Sequence, residues 1–126
     1  MEAYAKAITR VEHLSKEHPY EQKYASGLAK SYANLGVMLL STGKPDRALE
    51  AYGNSITISE RLVIEHPDVP EYASDLAAIC NNLGVLLDHL GRLDEALEAY
   101  GTAITIREQL VIEHPDVLEY ASGLAS

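Results

Sequence analysis

The dipeptide His-Pro recurs at His18, His66 and His114, 48 residues apart each time, and the residues between them recur as well. Residues 18–65 and 66–113 are identical at 28 of 48 positions, among them Asn34-Leu35-Gly36-Val37 against Asn82-Leu83-Gly84-Val85. Ala48-Leu49-Glu50-Ala51-Tyr52-Gly53 likewise matches Ala96-Leu97-Glu98-Ala99-Tyr100-Gly101. The register continues to both ends: Glu2-Ala3-Tyr4 matches Glu50-Ala51-Tyr52, and residues 114–126 match 66–78 at 10 of 13 positions. A fixed period of this length is the signature of a repeat architecture, whose units bury their apolar faces against one another. The 126 residues thus read as one array, not one globular domain: a second-helix half unit at 1–17, full units at 18–65 and 66–113, and a partial first helix at 114–126.

Each full unit reads as two helices. In the second unit Tyr72, Leu76, Ile79, Cys80, Leu83, Leu86, Leu87 and Leu90 follow the three-and-four spacing of one helical face. Asp68 with Glu71 predicts a capping-box-like start, and Gly91 a left-handed stop. A second helix is expected from about Leu93 to just before Pro115, with Asp94 and Glu95 suiting the positive end of its dipole. Its expected buried stripe is Ala96, Leu97, Tyr100, Ala103, Ile104, Leu110 and Val111. Short connections make consecutive helices antiparallel neighbours. The fold expected is all-α, about five full helices plus a short C-terminal one.

The order Cys80, Leu83-Gly84, Leu87, Ala96, Tyr100, Pro115, and before it Tyr32, Leu35-Gly36, Leu39, Ala48, Tyr52, Pro67, resembles the tetratricopeptide repeat over the whole chain. Two departures stand out. Cys80 replaces a preferred aromatic, and the period is 48 rather than the family's usual length of about 34. The excess is close to four helical turns at 3.6 residues each, so lengthening each helix by about two turns keeps its faces in phase. The lengthened unit is similar to those of kinesin light chain and of bacterial repeat arrays. The resemblance implies a right-handed superhelical solenoid of antiparallel hairpins, a non-catalytic scaffold, and a concave groove lined by the first helices.

On those first helices the resemblance marks a peptide-binding face at Lys23, Lys30, Asn34 and Val37 in one unit and Glu71, Asp75, Asn82, Val85 and His89 in the next. An asparagine amide offers a donor and an acceptor to a peptide group. In kinesin-light-chain-type repeats such asparagines hold cargo backbone; the alternative is that Asn34 and Asn82 bridge neighbouring helices in an empty groove. Lys23 and Lys30 against Glu71 and Asp75 would favour a ligand acidic at one end and basic at the other, or else Lys23 and Glu71 form a surface pair worth about 0 to 1 kcal/mol. The carboxylate clamp of chaperone-binding members needs cations where this chain has Ala33, Val37 and Ser126, so capture of a chaperone C-terminus is not expected.

Charge narrows the partners. Ten Lys and Arg against 19 Asp and Glu give a net charge of −9, with no cationic surplus for phosphates, so neither nucleic acid nor a membrane is an expected partner. The acidity is lopsided: residues 1–63 carry 8 basic and 7 acidic side chains, and residues 64–126 carry 2 and 12. No apolar run approaches the roughly 20 residues of a membrane span, and the lone cysteine, Cys80, excludes an internal disulfide and fits a reducing, cytoplasmic setting.

The remaining candidates have structural readings. His18, His66 and His114 suit helix ends, and as stacked equivalents about 8 to 10 Å apart they would not share a metal ion. Cys80 reads as a small buried hydrophobe, His13 and His89 as surface residues, and Tyr4, Tyr24, Tyr52, Tyr72, Tyr100 and Tyr120 as core. Gly53 and Gly101, inside helices, suggest close helix contact. No Ser-His-Asp order, phosphate loop or catalytic carboxylate pair is recognisable, so no enzyme activity, metal or cofactor is expected. The half units at both ends read as a piece of a longer array, and they suggest a rival role, homo-oligomerisation by end-to-end stacking or helix exchange.

Overall fold

Four α-helices account for most of residues 22–117, the part of the chain that the computed structural model describes. They are α1 (Gln22–Ser41), α2 (Pro45–Glu65), α3 (Pro70–His89) and α4 (Leu93–Glu113). Among the described residues there is no strand. The expected count of about five helices plus a short one is not matched. The helices expected at 1–17 and towards the end of 114–126 lie outside the described residues, as do His13, His18, Tyr4 and Tyr120. The helices are 20 or 21 residues long, so each runs for about 30 Å.

The chain divides into two compact units at His66 and Pro67, one built on α1 packed with α2 and the other on α3 packed with α4. Each hairpin turns through three residues and ends its first helix the same way. Gly43 and Gly91 both adopt φ of 75°, a left-handed conformation that costs glycine little. In the first hairpin Gly43 N–H donates to Leu40 O at 3.1 Å and Lys44 N–H to Leu39 O at 2.8 Å; in the second, Gly91 N–H donates to Asp88 O and Arg92 N–H to Leu87 O. These paired bonds satisfy carbonyls that the helix end leaves open. The expected stop at Gly91 is therefore correct.

The expected start of α3 is not. Val69 caps the helix without a side-chain hydrogen bond, and Pro70, whose fixed φ is pre-organised for a first helical position, begins it. Asp68 and Glu71 thus form no capping box, although Glu71 still places a carboxylate in the first turn. At the other ends, His66 N–H donates to Leu62 O and His114 N–H to Leu110 O, each at 2.8 Å, and Pro67 and Pro115 follow. The two histidines are helix-terminal, as their position before proline predicts.

Inside each hairpin small residues on the second helix let the first approach closely. In the first unit Leu28, Ala29, Gly36 and Leu39 meet Ala48, Ala51, Tyr52, Ser55, Ser59 and Leu62; in the second, Leu76, Ala77, Ile79, Cys80, Gly84, Leu86 and Leu87 meet Ala96, Ala99, Ala103 and Leu110. The Leu-Gly of each first helix has a steric cause. A Cβ on Gly36 would stand 2.6 Å from Cε1 of Tyr52, and one on Gly84 would stand 2.7 Å from Cε1 of Tyr100. Only glycine leaves room for the ring. Tyr52 is fully buried, and burial raises its phenol above the usual pKa by disfavouring the charged form.

Three expectations about the core need correction. Leu97 and Ile104 are not buried; they are 69% and 50% exposed, about a third of a turn round α4 from the Ala96, Ala99, Ala103 and Leu110 stripe that faces α3. Among the described residues a Cβ on Gly53 or Gly101 would have no neighbour within 4 Å, so no close helix contact among them accounts for these glycines. Tyr24, Tyr72 and Tyr100 are half-buried rather than core.

Candidate functional site

The face of α1 opposite its core stripe carries Lys23, Lys30, Asn34 and Val37, all exposed. Their spacing of seven, four and three residues keeps them on one side of the helix, since 3.6 residues complete a turn. The same face of α3 carries Glu71, Asn82, Val85 and His89 exposed and Asp75 half-buried. The structure thus collects the nine expected site residues into two equivalent helix faces, one in each unit. Val37 is 50% and Val85 40% exposed, so an apolar methyl pair lies beside each asparagine on the solvent side.

Among the described residues neither Asn34 nor Asn82 makes a side-chain hydrogen bond, whereas the buried hydroxyl of Ser55 is engaged by Ala29 O at 2.7 Å. The cations of α1 have no ionic partner among the described residues, and Lys23 Nζ lies 5.5 Å from the centroid of the Tyr24 ring. Arg92 and Glu95 form an ion pair at 2.6 Å at the start of α4, where both are about half-exposed. Such a pair contributes about 0 to 1 kcal/mol.

The two faces differ in sign. Helix α1 holds Lys23 and Lys30 and no acidic residue; α3 holds Glu71, Asp75 and Asp88 and no Lys or Arg. Leu40, 37% exposed in the last turn of α1, adds apolar surface one turn from Val37 that sequence reasoning passed over. A signal was present: its partner one repeat later is Asp88, which marks the position as facing solvent.

The described residues assemble no group of three or more His, Cys, Asp or Glu side chains able to hold a metal ion. Cys80 is buried in the second core, and His66 and His114 stand at separate helix ends. No helix among the described residues is long and apolar enough to cross a membrane. The two faces offer amides, methyl groups and charges on helices.

The lengths of the hairpins, the glycine socket for the tyrosine ring and the repeat period belong with one further finding: the family model of the tetratricopeptide repeat matches residues 28–68 and 76–116. The chain belongs to the tetratricopeptide repeat family. The matched segments start at Leu28 and Leu76, 48 residues apart, so family and internal repeat share one register. No curated protein matches the chain. Tetratricopeptide repeats generally mediate protein–protein interaction and are generally non-catalytic scaffolds.

Proposed function

We propose that this tetratricopeptide repeat chain is a non-catalytic scaffold that binds a protein segment through the exposed faces of its first helices, Lys23, Lys30, Asn34 and Val37 on α1 and Glu71, Asp75, Asn82, Val85 and His89 on α3. One observation carries the reading. An amide recurs at the same register in both units, exposed and without a hydrogen bond among the described residues, next to an exposed valine. An exposed amide with no protein partner among the described residues is bonded to water, which a peptide group can replace. The net charge of −9 argues against nucleic acid as the partner. The test is a displayed random-peptide library screened against the wild-type chain and an Asn34→Ala/Asn82→Ala variant. Peptides selected by the wild type should bind the variant at least tenfold more weakly; equal binding removes the assignment of these faces.

A second reading, self-assembly, is favoured by the exposed row of Leu93, Leu97 and Ile104 on α4, which is the apolar surface a second copy could cover. Light scattering over a concentration series decides it. Association that Leu97→Glu abolishes supports this role, and a constant monomer mass removes it.

A further inference from the structure

Resting on the peptide-binding reading above, we propose that the α1 face selects an acidic segment of its ligand, one carrying two carboxylates about 10 Å apart. Lys23 and Lys30 are seven residues apart on one face of α1, which at 1.5 Å per residue places their Cα atoms about 10 Å apart along the helix. Both side chains are exposed; Lys23 is engaged with the Tyr24 ring and Lys30 has no ionic partner among the described residues. No acidic residue stands on α1 to neutralise them. Two exposed ammonium groups set at a fixed interval, with no ionic partner among the described residues, are complementary to two carboxylates at that interval.

An extended peptide in the polyproline II conformation supplies it naturally. It rises about 3.1 Å per residue with three residues per turn, so acidic side chains three residues apart lie on one side and about 9 Å from each other. Asn34, one helical turn beyond Lys30, is then placed to pair with the peptide backbone, and Val37 with its next apolar side chain. The overall charge of −9 does not oppose this locally, because at physiological salt charges more than about 8 Å away are largely screened, and the acidic excess belongs to residues 64–126. Repeat comparison isolates the cause of the preference. Glu71 stands at the Lys23 position and Ala78 at the Lys30 position in the second unit, so the α3 face keeps the amide and the valine but not the cations.

The experiment measures fluorescence anisotropy of the full chain with a fluorescein-labelled peptide bearing two glutamates three residues apart, and with its glutamine and lysine counterparts. The glutamate peptide should bind most tightly and weaken as salt rises. Lys23→Gln/Lys30→Gln should weaken it about tenfold without moving the glutamine peptide, and Lys23→Glu/Lys30→Glu should shift the preference to the lysine peptide. Circular dichroism confirms that these exposed substitutions leave the helices formed. If all three peptides bind equally, and Asn34→Ala weakens them all, the peptide-binding reading stands and the charge selection falls. Glutamate-peptide binding that survives Lys23→Gln/Lys30→Gln also overturns it. Binding of none of the three overturns both.

Discussion

The two hairpins solve one packing problem with different side chains. Both seat a tyrosine ring of the second helix on a glycine of the first, Tyr52 on Gly36 and Tyr100 on Gly84, with nearly the same clearance. Yet Tyr52 is fully buried where Tyr100 is half-buried, and the buried position next along the second helix is Ser55 in one hairpin and Ala103 in the other. Ser55 gives its hydroxyl to Ala29 O across the helix interface, whereas Ala103 brings only a methyl group towards the equivalent helix. The difference teaches that backbone approach, set by Gly and Ala, is what the repeat holds constant. Polar or apolar filling of the remaining space is left free.

The largest expected effect follows from the shared feature. Gly36→Ala would place a methyl group 2.6 Å from the Tyr52 ring, and since that ring is buried it has little room to give way. Overpacking of this kind costs about 1 to 3 kcal/mol, partly offset by the better helix propensity of alanine. Gly84→Ala should cost less, because Tyr100 is half-buried and can shift outward. Thermal unfolding of the two variants, with amide exchange read separately in each hairpin, checks the order. Equal losses would mean that the sockets are equally rigid and that the exposure of Tyr100 is irrelevant to its fit.

A second pair of glycines should respond in the opposite direction. Gly53 and Gly101 lie mid-helix with open space where a Cβ would go, so alanine there meets no obstacle. Each substitution should stabilise its hairpin by about 0.5 to 1 kcal/mol, through helix propensity and a less free unfolded chain. Loss of stability at either position in chemical denaturation would show that something outside the described residues packs against that side of the helix.

These glycines also show what the sequence could and could not reveal. The period, the helix pairs and the Gly91 stop were legible because repetition doubles every local signal. The reason for a glycine was not: Gly84 and Gly101 look alike in a helical pattern, and only the geometry separates a ring socket from an open face. The stripe on α4 failed for a related cause. Periodicity locates an apolar face, but Leu97 and Ile104 extend it past the part that α3 covers, so hydrophobicity alone placed them inside. The start of α3 failed because Pro70 does by fixed φ what Asp68 and Glu71 were expected to do by hydrogen bonding. For the candidate site, the sequence placed the nine residues on equivalent helix faces. That neither the Asn34 nor the Asn82 amide has a hydrogen bond among the described residues is visible only in the structure.

The smallest effect separates the two cores directly. Ser55→Ala removes a buried hydrogen bond, and a bond of this type contributes about 0.5 to 1.5 kcal/mol net. The loss should sit near the lower end. Ala29 O lies inside α1, where the helix already supplies it with a backbone donor, so deleting the hydroxyl strands no buried acceptor. Alanine is also the better helix former and fills nearly the same space. The reciprocal change, Ala103→Ser, adds a hydroxyl at a fully buried position, where it must find a partner or incur a desolvation cost of about 1 to 3 kcal/mol. Its nearest prospect is the carbonyl of Ala77, the residue that repeats Ala29. If the backbones of the two interfaces are interchangeable, the serine should make that bond and Ala103→Ser should change stability by less than about 0.5 kcal/mol. Calorimetric unfolding of the two single variants and the double exchange reads this out. A loss above about 1 kcal/mol for Ala103→Ser would show that the hairpins differ in helix spacing, and that Ser55 belongs to the geometry of the first hairpin alone.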